Sequence, residues 1–143
     1  MNLTDLTGEI PSLHLRDLED APFSITYVLP GTDYGAGFTE IISIPAGFRG
    51  VVRNISIYNV TEAMTADTTP AYCYVGISGD TDAFCLSASL LVTAIDASIN
   101  PALTDGATHI IQPGTTVHVT GVAPTGGTPA GIATTAVTIQ FFK

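Results

Sequence analysis

The strongest constraint on the fold is a two-residue rhythm that sets in near residue 23 and recurs along the rest of the chain. Phe23, Ile25, Tyr27 and Leu29 alternate with Ser24, Thr26 and Val28, which puts the larger apolar side chains on one face of a half-buried strand. Phe38, Ile42 and Ile44 line a second segment, with Glu40 interrupting its face, and Val51, Ile55 and Ile57 a third that runs to Val60. Two arms over 71–92 follow, then 109–111, 115–122 and 132–142, with Val117, Val119, Val137, Ile139 and Phe141 as the expected inward residues. The connections at 30–37, 61–70, 93–106 and 123–131 are rich in Gly, Pro, Thr and Asp, and no convincing helical stretch occurs in this body. Short strands separated by regular turns predict an all-β fold of about eight strands. The expected architecture is a single antiparallel β-sandwich, jelly-roll or Greek-key-like.

Residues 1–22 read as an extended N-terminal arm in front of a sandwich domain over 23–143. The arm has leucines at 3, 6, 13, 15 and 18, the acids Asp5, Glu9, Asp17, Glu19 and Asp20 against Arg16, and breakers at Gly8 and Pro11. Ser12 could cap a short helix over Leu13–Asp20, but one or two turns are marginal alone. The segment is therefore either a frayed terminus or an arm that needs a surface to lie on. It lacks the basic start and apolar run of a secretory signal, so the reading is a protein made in a cytoplasm.

Charge excludes several partners. Four Lys+Arg stand against 13 Asp+Glu, a formal net charge of −9, so no basic stripe is available for nucleic-acid phosphates or an anionic membrane surface. No apolar run is long enough to span a bilayer. Only 12% of the residues are charged, and 21 threonines take over much of the work of keeping the surface wet. Threonine-rich sheets with sparse charge suit broad protein–protein contacts, interfaces being depleted in lysine; a plain Thr-rich solvent face fits equally well.

The usual constellations of catalysis are missing from the sequence. His14, His109 and His118 show no zinc-ligand spacing, and His118 falls with Thr116 and Thr120 on a polar strand face. Asp80 and Asp82 lack the further ligands of a calcium loop and suit a turn. Glu40, Glu62 and Asp96 are the acids available for a glycosidase pair, but nothing brings two of them together. Ser78 lacks a nucleophile elbow, and Gly126-Gly127 does not precede a helix. Asn2, Asn54 and Asn59 begin Asn-x-Ser/Thr triplets, which threonine abundance explains without glycosylation. No metal, cofactor or catalytic residue is expected.

Cys73 and Cys85 flank a predicted hairpin. A Gly79-Asp80 turn sets Val75 opposite Phe84 and Cys73 opposite Leu86, and turns Cys85 outward beside Tyr74. That register predicts two free thiols on opposite faces; a slip of one residue would make them partners.

Several turns and strands carry a resemblance. They are Ile44-Pro45-Ala46-Gly47-Phe48 with Val51–Val60, Tyr74-Val75-Gly76-Ile77-Ser78-Gly79-Asp80, Ile111–Thr120, and Gly126–Thr134 before the last strand. Over about residues 38–142 the chain resembles the small β-sandwich decoration (cement) proteins of tailed-phage heads. The resemblance implies a structural virion protein on the outer capsid surface, made in the host cytoplasm and assembled as a homotrimer. Its partner would be the major capsid protein, whose neighbouring subunits it clamps without turnover. The arm is outside the resemblance; if it reaches across the capsid, Leu6, Ile10, Leu13 and Leu15 would be its apolar anchors. The alternative is a receptor- or carbohydrate-binding β domain of a head fibre or tail tip. For that role Tyr72 and Tyr74 are the best platform residues, with Tyr34 and Tyr58 behind them.

Overall fold

A computed structural model describes residues 21–65, 68–86, 90, 94–104 and 110–143. The four proposed anchors, His14 and His109 fall outside these residues, as do the short helix expected over 13–20 and most of the arm. Among the described residues there are seven strands and no α-helix: β1 (Phe23–Asp33), β2 (Phe38–Ser43), β3 (Arg49–Glu62), β4 (Tyr72–Ile77), β5 (Asp80–Leu86), β6 (Thr116–Val122) and β7 (Ile132–Phe142). They form a three-stranded sheet, β1-β7-β3, and a four-stranded sheet, β2-β6-β4-β5. Every pairing is antiparallel. The fold is an all-β sandwich. Of the strand expected at 109–111, residues 110 and 111 are described, and Ile111 makes an isolated bridge to Gly50 at the edge of β3.

The inner faces follow the alternation within regular stretches, and in β3 irregularities between Val52 and Asn54 and between Tyr58 and Glu62 shift it, so that Val52 and Val60 are buried along with Ile55 and Ile57. Ile55, Ile57 and Val60 from β3 and Val137, Ile139 and Phe141 from β7 meet Cys73, Val75, Val117 and Val119 from the opposite sheet, with Ile42 and Ile44 at its β2 side. Each such side chain removed from water stabilises the fold by about 1.5–3 kcal/mol before entropy is set against it. β7 is central in its sheet and pairs with β1 on one side and β3 on the other.

β1 departs from expectation. Its inward set was expected to be covered, yet Phe23 keeps 40% and Ile25 36% of their surface, while Val28 on the other face keeps 50%. The strand lies at the edge of the smaller sheet. Phe23 stacks on Phe141 at 5.4 Å and meets Phe48 edge-on at 5.3 Å, but further covering is sparse.

The β4–β5 hairpin is a second departure. Ile77 pairs with Asp80, so the turn is Ser78-Gly79 and not Gly79-Asp80, with Gly79 at φ 90°. A register shift between Val75 and Ile77 follows, and Val75 then faces Cys85. Gly76 sits in the irregularity because a Cβ there would run into the backbone of Asp80 and Thr81. Cys85 therefore points inward with Cys73, on the same face, with its Sγ 4.0 Å from the Cys73 carbonyl. No disulfide joins them.

Candidate functional site

Sheet β2-β6-β4 presents an outer face made of uncharged residues. Pairing sets Ile41 beside His118, Thr39 beside Thr120 and Ser43 beside Thr116. On the other side of β6, Tyr72 lies beside Val122 and Tyr74 beside Thr120. No Asp, Glu, Lys or Arg occurs among these outward positions. Ile41 is 60% and Val122 39% exposed, so the face combines apolar protrusions with hydroxyl groups. The Tyr72 and Tyr74 rings lie nearly parallel, 14° between planes and 6.2 Å between centroids. The His118 ring is held by Thr116, with Oγ1 and Nε2 3.0 Å apart, on the polar strand face expected for it.

The other two tyrosines do not join this platform. Tyr58 projects from β3 in the opposite sheet, where Ile55 and Ile57 take the inward positions. Tyr34 is a structural residue and no part of a binding surface: its ring is fully buried. Its hydroxyl is 2.7 Å from Thr135 Oγ1, which in turn is 2.9 Å from Thr32 Oγ1. Thr32 Oγ1 donates to the Ala133 carbonyl at 2.8 Å. This closed network satisfies three hydroxyls inside an apolar core, where an unpartnered one costs about 1–3 kcal/mol. Tyr34→Phe should lower stability by about 1–2 kcal/mol, read as a shift of the urea midpoint with an unchanged slope. The sequence offered little signal for this role, because a tyrosine beside Gly and Asp in a connection reads as exposed.

The acids do not assemble either. Glu40 stands mid-strand in β2, while Glu62 ends β3 in the other sheet, where its Oε2 accepts a 3.4 Å hydrogen bond from the Gly131 amide. Asp96 lies in a connection whose backbone amide bonds the Val60 carbonyl at 3.2 Å. Among the described residues no three His, Cys, Asp or Glu side chains are grouped to hold a metal. A shallow cavity of about 140 Å³ lies beside the hairpin, lined by Ile77, Ala83, Phe84, Ile110 and Ile111 with Asp80, Gln112 and Thr115 at its polar side.

The thiols are unsuited to nucleophilic work. Burial pushes Cys73 up to about 12 and Cys85 up to about 11, and the thiolate is the reactive form. Burial likewise raises Tyr34. All three groups stay protonated in the fold while their unfolded counterparts ionise near pH 9–10. The unfolded chain then binds fewer protons than the native one, so stability falls as pH rises. The contribution of these groups is fully present below about pH 9 and is lost as pH rises, up to about 11 for Cys85 and about 12 for Cys73, at about 1.4 kcal/mol per pH unit for each group between its unfolded and folded values. Ellman's reagent should leave both thiols untouched at pH 8 and titrate both after denaturation.

Comparison with protein-family models, curated proteins and solved structures finds no match to this chain. The class defined by fold and surface alone is an all-β sandwich with an uncharged sheet face.

Proposed function

We propose that the protein is a structural virion component that binds the outside of a phage capsid and stabilises it by clamping neighbouring major capsid subunits, as a homotrimer. The observation that carries this reading is the uncharged, hydroxyl-rich outer face of β2-β6-β4, with Ile41 and Val122 exposed on it. Such a face meets another protein without stripping water from charges, the costliest part of forming an interface. The likeness of its turns to those of decoration proteins supports the same reading. Leu6, Ile10, Leu13 and Leu15 are the proposed anchors on the shell, and many copies acting together give avidity. The protein works by binding energy added between subunits, without turnover.

Co-sedimentation with expanded, undecorated heads tests this directly. Saturable binding, with heads that then resist heating, is the expected result; heads that pellet without the protein at micromolar concentration overturn it.

The stacked Tyr72–Tyr74 pair favours a second reading, a receptor- or carbohydrate-binding domain of a head fibre or tail tip, because adjacent rings offer a platform for sugar faces. Under it, a glycan array gives a hit that Tyr74→Ala removes, and head binding is absent.

A further inference from the structure

Charge is divided along the smaller sheet. In the strands of β1-β7-β3 the charged residues are Arg49, Arg53, Asp33 and Glu62, and they sort by sign to opposite ends of β7. Arg49 pairs with Phe142 and packs 4.9 Å from its ring centroid, with Nη2 donating to the Lys143 carbonyl at 2.6 Å. Arg53 sits in the irregularity between Val52 and Asn54, which leaves both Arg53 and Asn54 exposed between buried Val52 and Ile55. Its Nε donates to Gln140 Oε1 at 2.8 Å. Three of the four Lys+Arg of the chain thus gather at one end, and the described hydrogen-bond partners of both arginines are uncharged, a carbonyl and an amide. At the other end Asp33 and Glu62 both pair with Ile132, from opposite sides. Asp96 is held at the same end of β3 by its amide, which bonds the Val60 carbonyl at 3.2 Å. All three acids are exposed. Gln140 and Ile132 stand eight residues apart, about 26 Å along a strand. That is several times the Debye length of about 8 Å in physiological salt, so the two ends do not neutralise each other within one chain.

The complement of each end is carried by every other copy of the chain. We propose that the arginine end of one copy docks on the carboxylate end of the next, with Arg49 and Arg53 set against Asp33, Glu62 and Asp96 of the neighbour. At a net charge of −9 two copies repel in most orientations, and this one brings opposite signs together, so the charges select the contact. Its strength comes from apolar surface, since exposed ion pairs add little. Phe23, paired with Phe141 at the arginine end, is 40% exposed, and Val28 and Tyr58, toward the carboxylates, are 50% and 37% exposed. Unlike ends make a heterologous contact, which repeats from copy to copy and closes when its rotation brings the last copy onto the first. Closure at three rests on the homotrimer of the reading above; the contact itself does not. It uses no residue of β2-β6-β4.

Sedimentation velocity on the full-length chain over a wide concentration range tests the contact. The wild-type chain should form an oligomer. Arg49→Glu with Arg53→Glu should weaken it at least about tenfold, as should Asp33→Lys with Glu62→Lys. All four substitutions together exchange the signs of the two ends and should restore the oligomer. Asp33 also accepts a 2.9 Å hydrogen bond from the Ala36 amide. Arg53→Glu with Glu62→Lys leaves that turn intact and serves as a second swap, and the urea midpoint of each variant shows that its sandwich is folded. A wild-type chain that stays monomeric overturns both this contact and the homotrimer. An oligomer that survives both reversals overturns the contact and leaves the homotrimer reading in place. Reversals that dissociate the oligomer without rescue by either swap overturn the contact too.

Discussion

Replacing Phe141 with alanine is expected to cost about 3–5 kcal/mol, the range for truncating a large buried aromatic. Phe141 is fully buried, lies opposite Phe23 on one neighbour and Gly50 on the other, and stacks on the Phe23 ring. Neither neighbour can close the gap. Gly50 has no side chain to move, and Phe23 is already held edge-on by Phe48. Since domains of this size are stable by about 5–15 kcal/mol, the variant loses a large fraction of its margin. Phe142, one residue on, is the natural control. It faces outward, with the Arg49 guanidinium 4.9 Å from its ring centroid, and Phe142→Ala should cost no more than about 1.5 kcal/mol. Urea denaturation of the two variants side by side separates core packing from surface contact; equal midpoints would contradict the assigned faces of β7.

The second large effect belongs to the capsid reading. Substituting Leu6 and Ile10 together by aspartate should weaken head binding by at least about a hundredfold, since buried apolar anchors at an interface are worth about 2 kcal/mol or more each. The double variant should abolish co-sedimentation while the urea midpoint of the sandwich stays unchanged. Full-affinity binding by this variant would remove the arm from the mechanism and leave the β2-β6-β4 face as the docking surface.

Much of the sandwich was legible because period-two patterning is a direct consequence of strand geometry. Val117, Val119, Val137, Ile139 and Phe141 are buried as the alternation implies. What alternation does not encode is which sheet a strand joins or how far the opposite sheet extends over it. That is why Ile25 carries the pattern of a covered residue and remains open. The hairpin slipped by one residue for a related reason: both Ser78-Gly79 and Gly79-Asp80 contain the glycine that a positive φ requires. The choice was made by the irregularity at Gly76, a packing event between β4 and β5. Tyr34 reads as a surface residue in the sequence because its hydroxyl partners, Thr32 and Thr135, come from two strands about a hundred residues apart in the chain. The uncharged face of β2, β6 and β4 was legible only as a composition, sparse charge and many threonines; its assembly is a property of strand order.

The central place of β7 has a consequence for how the chain is born. Thr26 and Thr138, whose hydroxyls meet across β1 and β7, are 112 residues apart. Among the described residues, β1 and β3 have no partner in their own sheet until β7 leaves the ribosome, and the sequence Phe-Ser-Ile-Thr-Tyr-Val-Leu waits without it. Such long-range pairing is slow, and a waiting apolar strand is open to wrong partners. Soluble yield should therefore depend on synthesis temperature and on chaperones far more than the stability of the finished sandwich would suggest.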